Sequence, residues 1–161
     1  MNSFTKSLSY PLHCIDQLST DIPRGSITFS AVEFREAYFS LPLEYKCRKY
    51  AGIITRTSAY VPSRSKFSSK IAPTVFQHTM DDILRSYREL TFVYLDDILI
   101  FSSDENQHLR HLRSVFKRLL TNGLYLNIKI CVFMKNLISF LGYMINAECI
   151  CHLESKVAEI N

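Results

Sequence analysis

An α+β fold is what this sequence predicts, and three stretches predict it. SITFSAVEF (26–34) alternates apolar and polar residues at the two-residue period of a half-buried strand. DENQHLRHLRSVFKRLLTNG (104–123) instead repeats at helical spacing, with Leu109, Leu112, Phe116 and Leu119 on one stripe. Between them, TFVYLDDILIF (91–101) is an apolar run broken only by Asp96 and Asp97. No repeat, linker or low-complexity segment divides the 161 residues, so a single unit over 1–161 is expected, large enough for a sizeable core.

Taken in order, PLHCIDQLS (11–19) can form a short helix, and TDIPRGS then supplies proline and glycine for a turn. After the strand at 26–34, REAYFSLPL begins a short helix that Pro42 disrupts. AGIITRTSAYVP (51–62) reads as two strands joined near Thr57–Ser58, and SRSKFSSK (63–70) as a basic loop. A helix is expected over 72–90, with Pro73 tolerated in its first turn. The run at 91–101 splits into two short strands with the acids at or beside the turn. Asn122–Gly123 stops the helix at 104–123, whose His108 and His111 flank the stripe and are expected to be solvated. ISFLGYMINAECICHL supplies two further strands.

Composition narrows the class. A hydrophobic fraction of 47% with 21% charged residues belongs to a soluble globular chain rather than a disordered one. Nineteen basic against 15 acidic residues leave a net charge of +4, which permits nucleic-acid binding without demonstrating it. Five cysteines (14, 47, 131, 149 and 151) are an odd number without CxxC pairs; CICH (149–152) has no second cluster at zinc spacing. They are expected to be reduced core thiols in an intracellular setting, cytoplasmic or nuclear. The N-terminus lacks a signal peptide's apolar core, and no run approaches the roughly 18 apolar residues a membrane span needs, so no membrane partner is expected.

Aspartate is a poor strand former, and a buried carboxylate is costly unless something pairs with it. No lysine or arginine lies within 91–101. Asp96–Asp97 therefore admits three roles: an exposed hairpin turn, a proton-sharing acid/base pair, or hard oxygen ligands for Mg²⁺. Two-residue hairpins favour Asn-Gly or Asp-Gly, for which Asp-Asp is a poor substitute. The other acid pair, Asp81–Asp82, sits in a helical pattern with Arg85 and reads as a solvated helix face.

VYLDDILIFS (93–102) is similar to the Tyr-x-Asp-Asp box of reverse transcriptases, and the resemblance continues in the family's order along nearly the whole chain. SYPLHCIDQL (9–18) resembles the PLP-x-ID-x-L opening of long-terminal-repeat retrotransposon polymerases, FSAVEFREAYFSLPL (29–43) their first palm motif, and CRKYAGI (47–53) the RKYTAF of retroviral relatives. KFSSKIAPTVFQHTMDDIL (66–84) matches PFGLxNAPATFQxxMDxxL, GLYLNIKICVF (123–133) matches GLxLNxxKCxF, and ISFLGYMI (138–145) resembles the segment gripping the primer end. The resemblance implies a polymerase palm, an antiparallel sheet packed on helices, with part of the fingers and the thumb largely absent. It implies an RNA-directed DNA polymerase acting on an RNA or DNA template-primer with deoxynucleoside triphosphates, as one part of a Pol polyprotein. Asp96, Asp97 and a third carboxylate at Glu33 would hold two ions of Mg²⁺ or Mn²⁺, which stabilise entering and departing oxygens together. Tyr94 would shape the primer-terminal side, Tyr38 would gate the sugar against a 2′-hydroxyl, Phe67 would touch the nucleotide with Gln77 in the supporting helix motif, and Lys129 would protonate pyrophosphate.

The departures from the family matter as much. Position 33 carries glutamate where the family has aspartate; the extra methylene moves the carboxylate by more than a bond length, and a misplacement of about 1 Å can cost on the order of a hundredfold. Lys66 and Ser68 replace the proline and glycine of the nucleotide-pocket motif, which restricts backbone that must pass close to a ligand. The chain opens at the palm motif, so the upstream fingers hairpin, a full thumb and ribonuclease H are expected to be missing. The competing function is then a non-catalytic palm remnant with weak nucleic-acid binding.

Overall fold

The computed structural model describes residues 10–11, 18–65 and 69–152. The apolar run at 91–101 forms the hairpin: β4 (Thr91–Tyr94) pairs with β5 (Asp97–Ser102). β5 pairs on its other side with β1 (Thr28–Glu33), and β1 with β6 (Val132–Lys135), giving an antiparallel sheet ordered β4–β5–β1–β6. The two-residue period then sorts side chains between faces. Val32, Val93, Ile98 and Ile100 meet Phe76 and Met80 of α3 (Ala72–Ile83) and Leu112, Val115 and Leu119 of α4 (Glu105–Thr121). Phe29, Phe92, Leu99 and Phe101 meet Ile138 and Phe140 of β7 (Ile138–Phe140) and Ile145 of β8 (Tyr143–Ile145), with Leu18 of α1 (Leu18–Asp21). Both faces of β5 are thus covered, which is why ILIF is continuously apolar rather than alternating.

Away from this core, α2 (Tyr45–Arg48) and a 3₁₀ turn at Lys49–Ala51 lead into an exposed two-residue hairpin, β2 (Ile53–Ile54) with β3 (Ala59–Tyr60). The Thr55 hydroxyl closes it, accepting the Ser58 N–H at 3.1 Å. Arg64 ties the following loop back, donating to the Ser40 carbonyl at 2.8 Å. Among the described residues no helix is long and apolar enough to cross a membrane.

Several expectations need correction. The helix expected over 72–90 ends at Ile83; Leu84, 1% exposed in the core, is followed by a 3₁₀ turn at Arg85–Tyr87 that reverses the chain into β4. Apolar residues at i and i+3 suit both helix types, so spacing could not separate them. The end of the chain makes three strands, not two, since β9 (Ile150–His152) adds to β8. Neither α2 nor β6 was anticipated. Residues 12–17 of the first expected helix, with Cys14, lie outside the described residues. Cys47, Cys149 and Cys151 are exposed and Cys131 is half-buried, so these are not core thiols.

The stripe of α4 is also shifted. Leu109 is 55% exposed, and His108 takes the inward position, wholly buried. The imidazole is affordable there because both nitrogens are bonded: Nε2 to the Ser30 hydroxyl at 2.7 Å and Nδ1 to the Ser102 hydroxyl at 2.8 Å, which also meets His111 at 2.7 Å. Burial, with His111 adding to it, lowers the His108 pKa to about 4. The neutral ring's stabilisation is therefore complete above its ordinary value of 6.5 and is lost as pH falls through about 4.

His108→Ala leaves two serine hydroxyls facing a cavity and should lower the unfolding free energy by roughly 2 kcal/mol or more. Leu109→Ala should change it by less than about 0.5 kcal/mol. Urea denaturation of both variants measures the contrast; equal effects would return Leu109 to the core stripe.

Candidate active site

Pairing of Tyr94 with Asp97 leaves Leu95–Asp96 as a two-residue turn. Leu95 stands at φ 54°, in left-handed backbone that costs a side-chain-bearing residue about 1–2 kcal/mol. Two hydrogen bonds hold it. The Leu95 N–H donates to Gln77 Oε1 at 2.6 Å, and the Phe34 N–H donates to the Asp96 carbonyl at 3.1 Å. Gln77 is wholly buried in α3, and its Nε2 donates to the Val93 carbonyl at 3.2 Å and to Asp81 Oδ1 at 3.0 Å. Asp81 in turn accepts the Tyr10 hydroxyl at 2.6 Å. Asp81 is thus buried, contrary to the expected solvated face, while Asp82 is exposed and pairs with Arg85 and His78 as expected. Gln77, spent on protein groups, bears on any nucleotide pocket through the turn it holds rather than by contact.

Register brings the third carboxylate in. Glu33 lies directly opposite Asp97, and directly opposed residues share a face, so Glu33, Asp97 and Tyr94 point to the side packed by β7 and β8. The end of β1 is braced from behind: the Asn127 N–H donates to the Glu33 carbonyl at 2.9 Å, and Phe34 bridges to Leu126. All three carboxylates are half-buried, and among the described residues none has a lysine, arginine or histidine in salt-bridge contact. Burial, then the charges of Asp96 and Glu33, push the Asp97 carboxyl up to about 6.

The other expected residues fall around this cluster with different weights. Tyr38, in a 3₁₀ turn at Ala37–Ser40, packs edge-on against Phe76 at 5.7 Å; burial and then the charge of Asp96 raise its phenol, which puts the ring within electrostatic reach of the turn. Lys129 is exposed in the loop two residues beyond Asn127. Phe67, with Lys66 and Ser68, lies outside the described residues. Sequence reasoning missed Asp81 and Asn127; the Gln77–Asp81 spacing of four on a helix was the available signal for the first. Among the described residues no three Asp, Glu, His or Cys side chains converge as a ready metal cage. The donor set nonetheless suits a hard divalent cation, because Asp96 and Glu33 both lie close enough to Asp97 to raise its carboxyl, and among the described residues none of the three has a cationic partner.

The chain is similar to known proteins in sequence and in fold. Residues 1–145 match the family model described as reverse transcriptase (RNA-dependent DNA polymerase). The chain is 32% identical over 146 residues to the enzymatic polyprotein of Cauliflower mosaic virus (strain Strasbourg), covering 91% of this chain and 21% of that protein. It is 28% identical over 162 residues to the retrovirus-related Pol polyprotein from transposon opus of Drosophila melanogaster, covering 100% of this chain and 16% of that one. The chain therefore spans about a fifth or less of the length of these curated relatives. In fold it is similar to the foamy viral protease-reverse transcriptase solved with an RNA/DNA hybrid (TM-score 0.88, 19% identity, 99% of this chain and 21% of that one). The same holds for the form solved with double-stranded DNA (TM-score 0.89, 21% identity, 99% and 28%).

A folded pKa near 6 against an ordinary 3.8 means that, in the metal-free protein, the Asp97 contribution to stability is fully present below about pH 4 and is lost as pH rises through about 6. Asp97→Asn removes that loss. In thermal unfolding with chelator present, the melting-temperature difference between variant and parent should move in the variant's favour from about pH 4 to about pH 7. His108 titrates alike in both and cancels. A difference that ignores pH would mean that Asp97 titrates as an ordinary carboxylate.

Proposed function

The chain belongs to the reverse transcriptase (RNA-dependent DNA polymerase) family, and from that premise we propose that it is the palm, with part of the fingers, of a retroelement polymerase that adds deoxynucleotides to a primer 3′-hydroxyl. The observation that carries the reading is the cluster at one sheet end, where register sets Glu33 against Asp97 and the turn adds Asp96. Asp96, Asp97 and Glu33 would hold Mg²⁺ or Mn²⁺, on which the family depends. When bound, two such ions supply positive charge to the attacking oxygen, the transferring phosphoryl group and the departing pyrophosphate. The residues of the chain do the rest by position. Tyr94, on the same face as Glu33 and Asp97, would border the primer terminus, and Tyr38, near Asp96, would lie under the sugar. Asp97 must give up its proton to serve as a ligand, so metal affinity falls below about pH 6. Phe67 would contact the nucleotide, and Lys129 would donate a proton to pyrophosphate. Exposed Tyr45 and Tyr50, with Arg48 and Lys49 over their rings at 5.8 and 5.0 Å, offer a basic and aromatic surface suited to a nucleic-acid strand. The remainder of a Pol polyprotein would supply the other parts of the polymerase.

Glu33 favours a second reading, a palm that keeps its fold and has lost catalysis, because its carboxylate stands one methylene beyond the family's.

Metal binding tests the cluster directly. Mn²⁺ affinity, followed by calorimetry or paramagnetic broadening, should fall at least about tenfold in Asp96→Asn/Asp97→Asn, with two ionised ligands gone. An unchanged affinity places the ion elsewhere.

Primer extension on a ribonucleotide template separates the two functions. In the chain joined to fingers and thumb, Glu33→Asp should raise the rate by about tenfold or more, at least about 1.4 kcal/mol of transition-state stabilisation. No extension by parent or variant, with Mg²⁺ or Mn²⁺, would favour the remnant.

A further inference from the structure

The start of β9 carries a pair of thiols apart from the carboxylate cluster. A tight turn precedes it: the Asn146 N–H donates to the Cys149 carbonyl at 3.1 Å, and Asn146 Oδ1 accepts the N–H groups of Glu148 and Cys149 at 2.8 and 2.7 Å. β9 then pairs with β8 through Ile145↔Ile150 and Met144↔Cys151. Ile150 turns inward against the cluster around Ile138, Phe140 and Ile145. Its two neighbours, Cys149 and Cys151, therefore share the outward side, and both are exposed. The Cys151 S–H donates to Cys149 Sγ with the sulfurs 3.0 Å apart, about 1 Å beyond a disulfide bond.

We propose that Cys149 and Cys151 form a redox-labile dithiol that closes reversibly to a disulfide by exchange with a low-molecular-weight disulfide. The exchange opens when either thiol loses its proton. That thiolate breaks the small disulfide, forming a mixed disulfide and releasing one small thiolate. The other thiol, deprotonated, then attacks the sulfur of the first, forms the intramolecular bond and expels the second small thiolate. Both protein protons end on the two released thiols, and two electrons pass from the protein pair to the small disulfide.

Geometry makes the bond a switch rather than a staple. Residues two apart in extended chain have Cα atoms roughly 6.6–6.8 Å apart, at the upper limit for a disulfide, and strained disulfides are the more easily reduced. A ring with one intervening residue also takes little entropy from the unfolded chain. A soft-metal site is less well supplied. His152 falls on the opposite side of the strand and packs on the Tyr143 ring at 4.2 Å, so it does not join the sulfurs.

The test exposes the full chain to glutathione disulfide, alkylates the remaining thiols and maps the peptides by mass. The peptide holding both cysteines should lose two hydrogens and regain them with dithiothreitol. The closed form should exceed the glutathione adduct at these positions by about tenfold, because the second attack is intramolecular. Exposed Cys47 serves as an internal control and should stop at the adduct. Cys149→Ser and Cys151→Ser should each also stop there. A parent peptide that stays reduced, or carries only glutathione while Cys47 reacts, overturns the proposal even should a variant fail to fold.

Discussion

The carboxylate cluster depends on a turn whose backbone its own residues do not favour. Leu95 occupies left-handed backbone where a two-residue hairpin would ordinarily recruit asparagine or glycine, and it stays there because Gln77 takes its N–H and Phe34 bonds the next carbonyl. The hold is built from elements distant in sequence: α3 supplies Gln77, β1 supplies Phe34, and Tyr10 fixes Asp81 behind Gln77. A looser turn would let Asp96 move relative to the sheet end that carries Asp97 and Glu33, and site geometry matters at a scale of about 0.5 Å.

Electrostatics makes the same place costly. Asp97 is half-buried near two other carboxylates, and burial together with their charges pushes its carboxyl up. The sheet can bear this because it is otherwise secured on both faces, by α3 and α4 on one and by β7 and β8 on the other. His108 shows the opposite treatment of a polar group, with each nitrogen bonded and the ring kept neutral. His108 is bonded to Ser30 and Ser102 toward one end of the β1–β5 pair, and the carboxylates gather at the other.

Much of this was legible along the chain. The strand at 26–34, the hairpin at 91–101, the small hairpin at 51–62 and the helix at 104–123 all stand where pattern put them. The errors share a cause. A histidine at helical position 108 and a leucine at 109 differ by about 100° around the axis, so a small error in the angle of the stripe exchanges inside for outside. Asp81 and Asp82 are likewise neighbours in sequence but face different surroundings, which only the packing of α3 against β4 reveals.

By itself, the sequence determined the types of the longest elements, the two acids in an apolar run and the family motifs that bracket them, because periodicity and composition are local properties. Only the tertiary structure decided that Glu33 stands opposite Asp97, that Gln77 holds the turn, and that His108 belongs to the core. Those facts depend on register between strands more than sixty residues apart and on which helix face meets the sheet. Neither is carried by any window of sequence short enough to read as a pattern; both follow from the joint burial of β1, β5, α3 and α4.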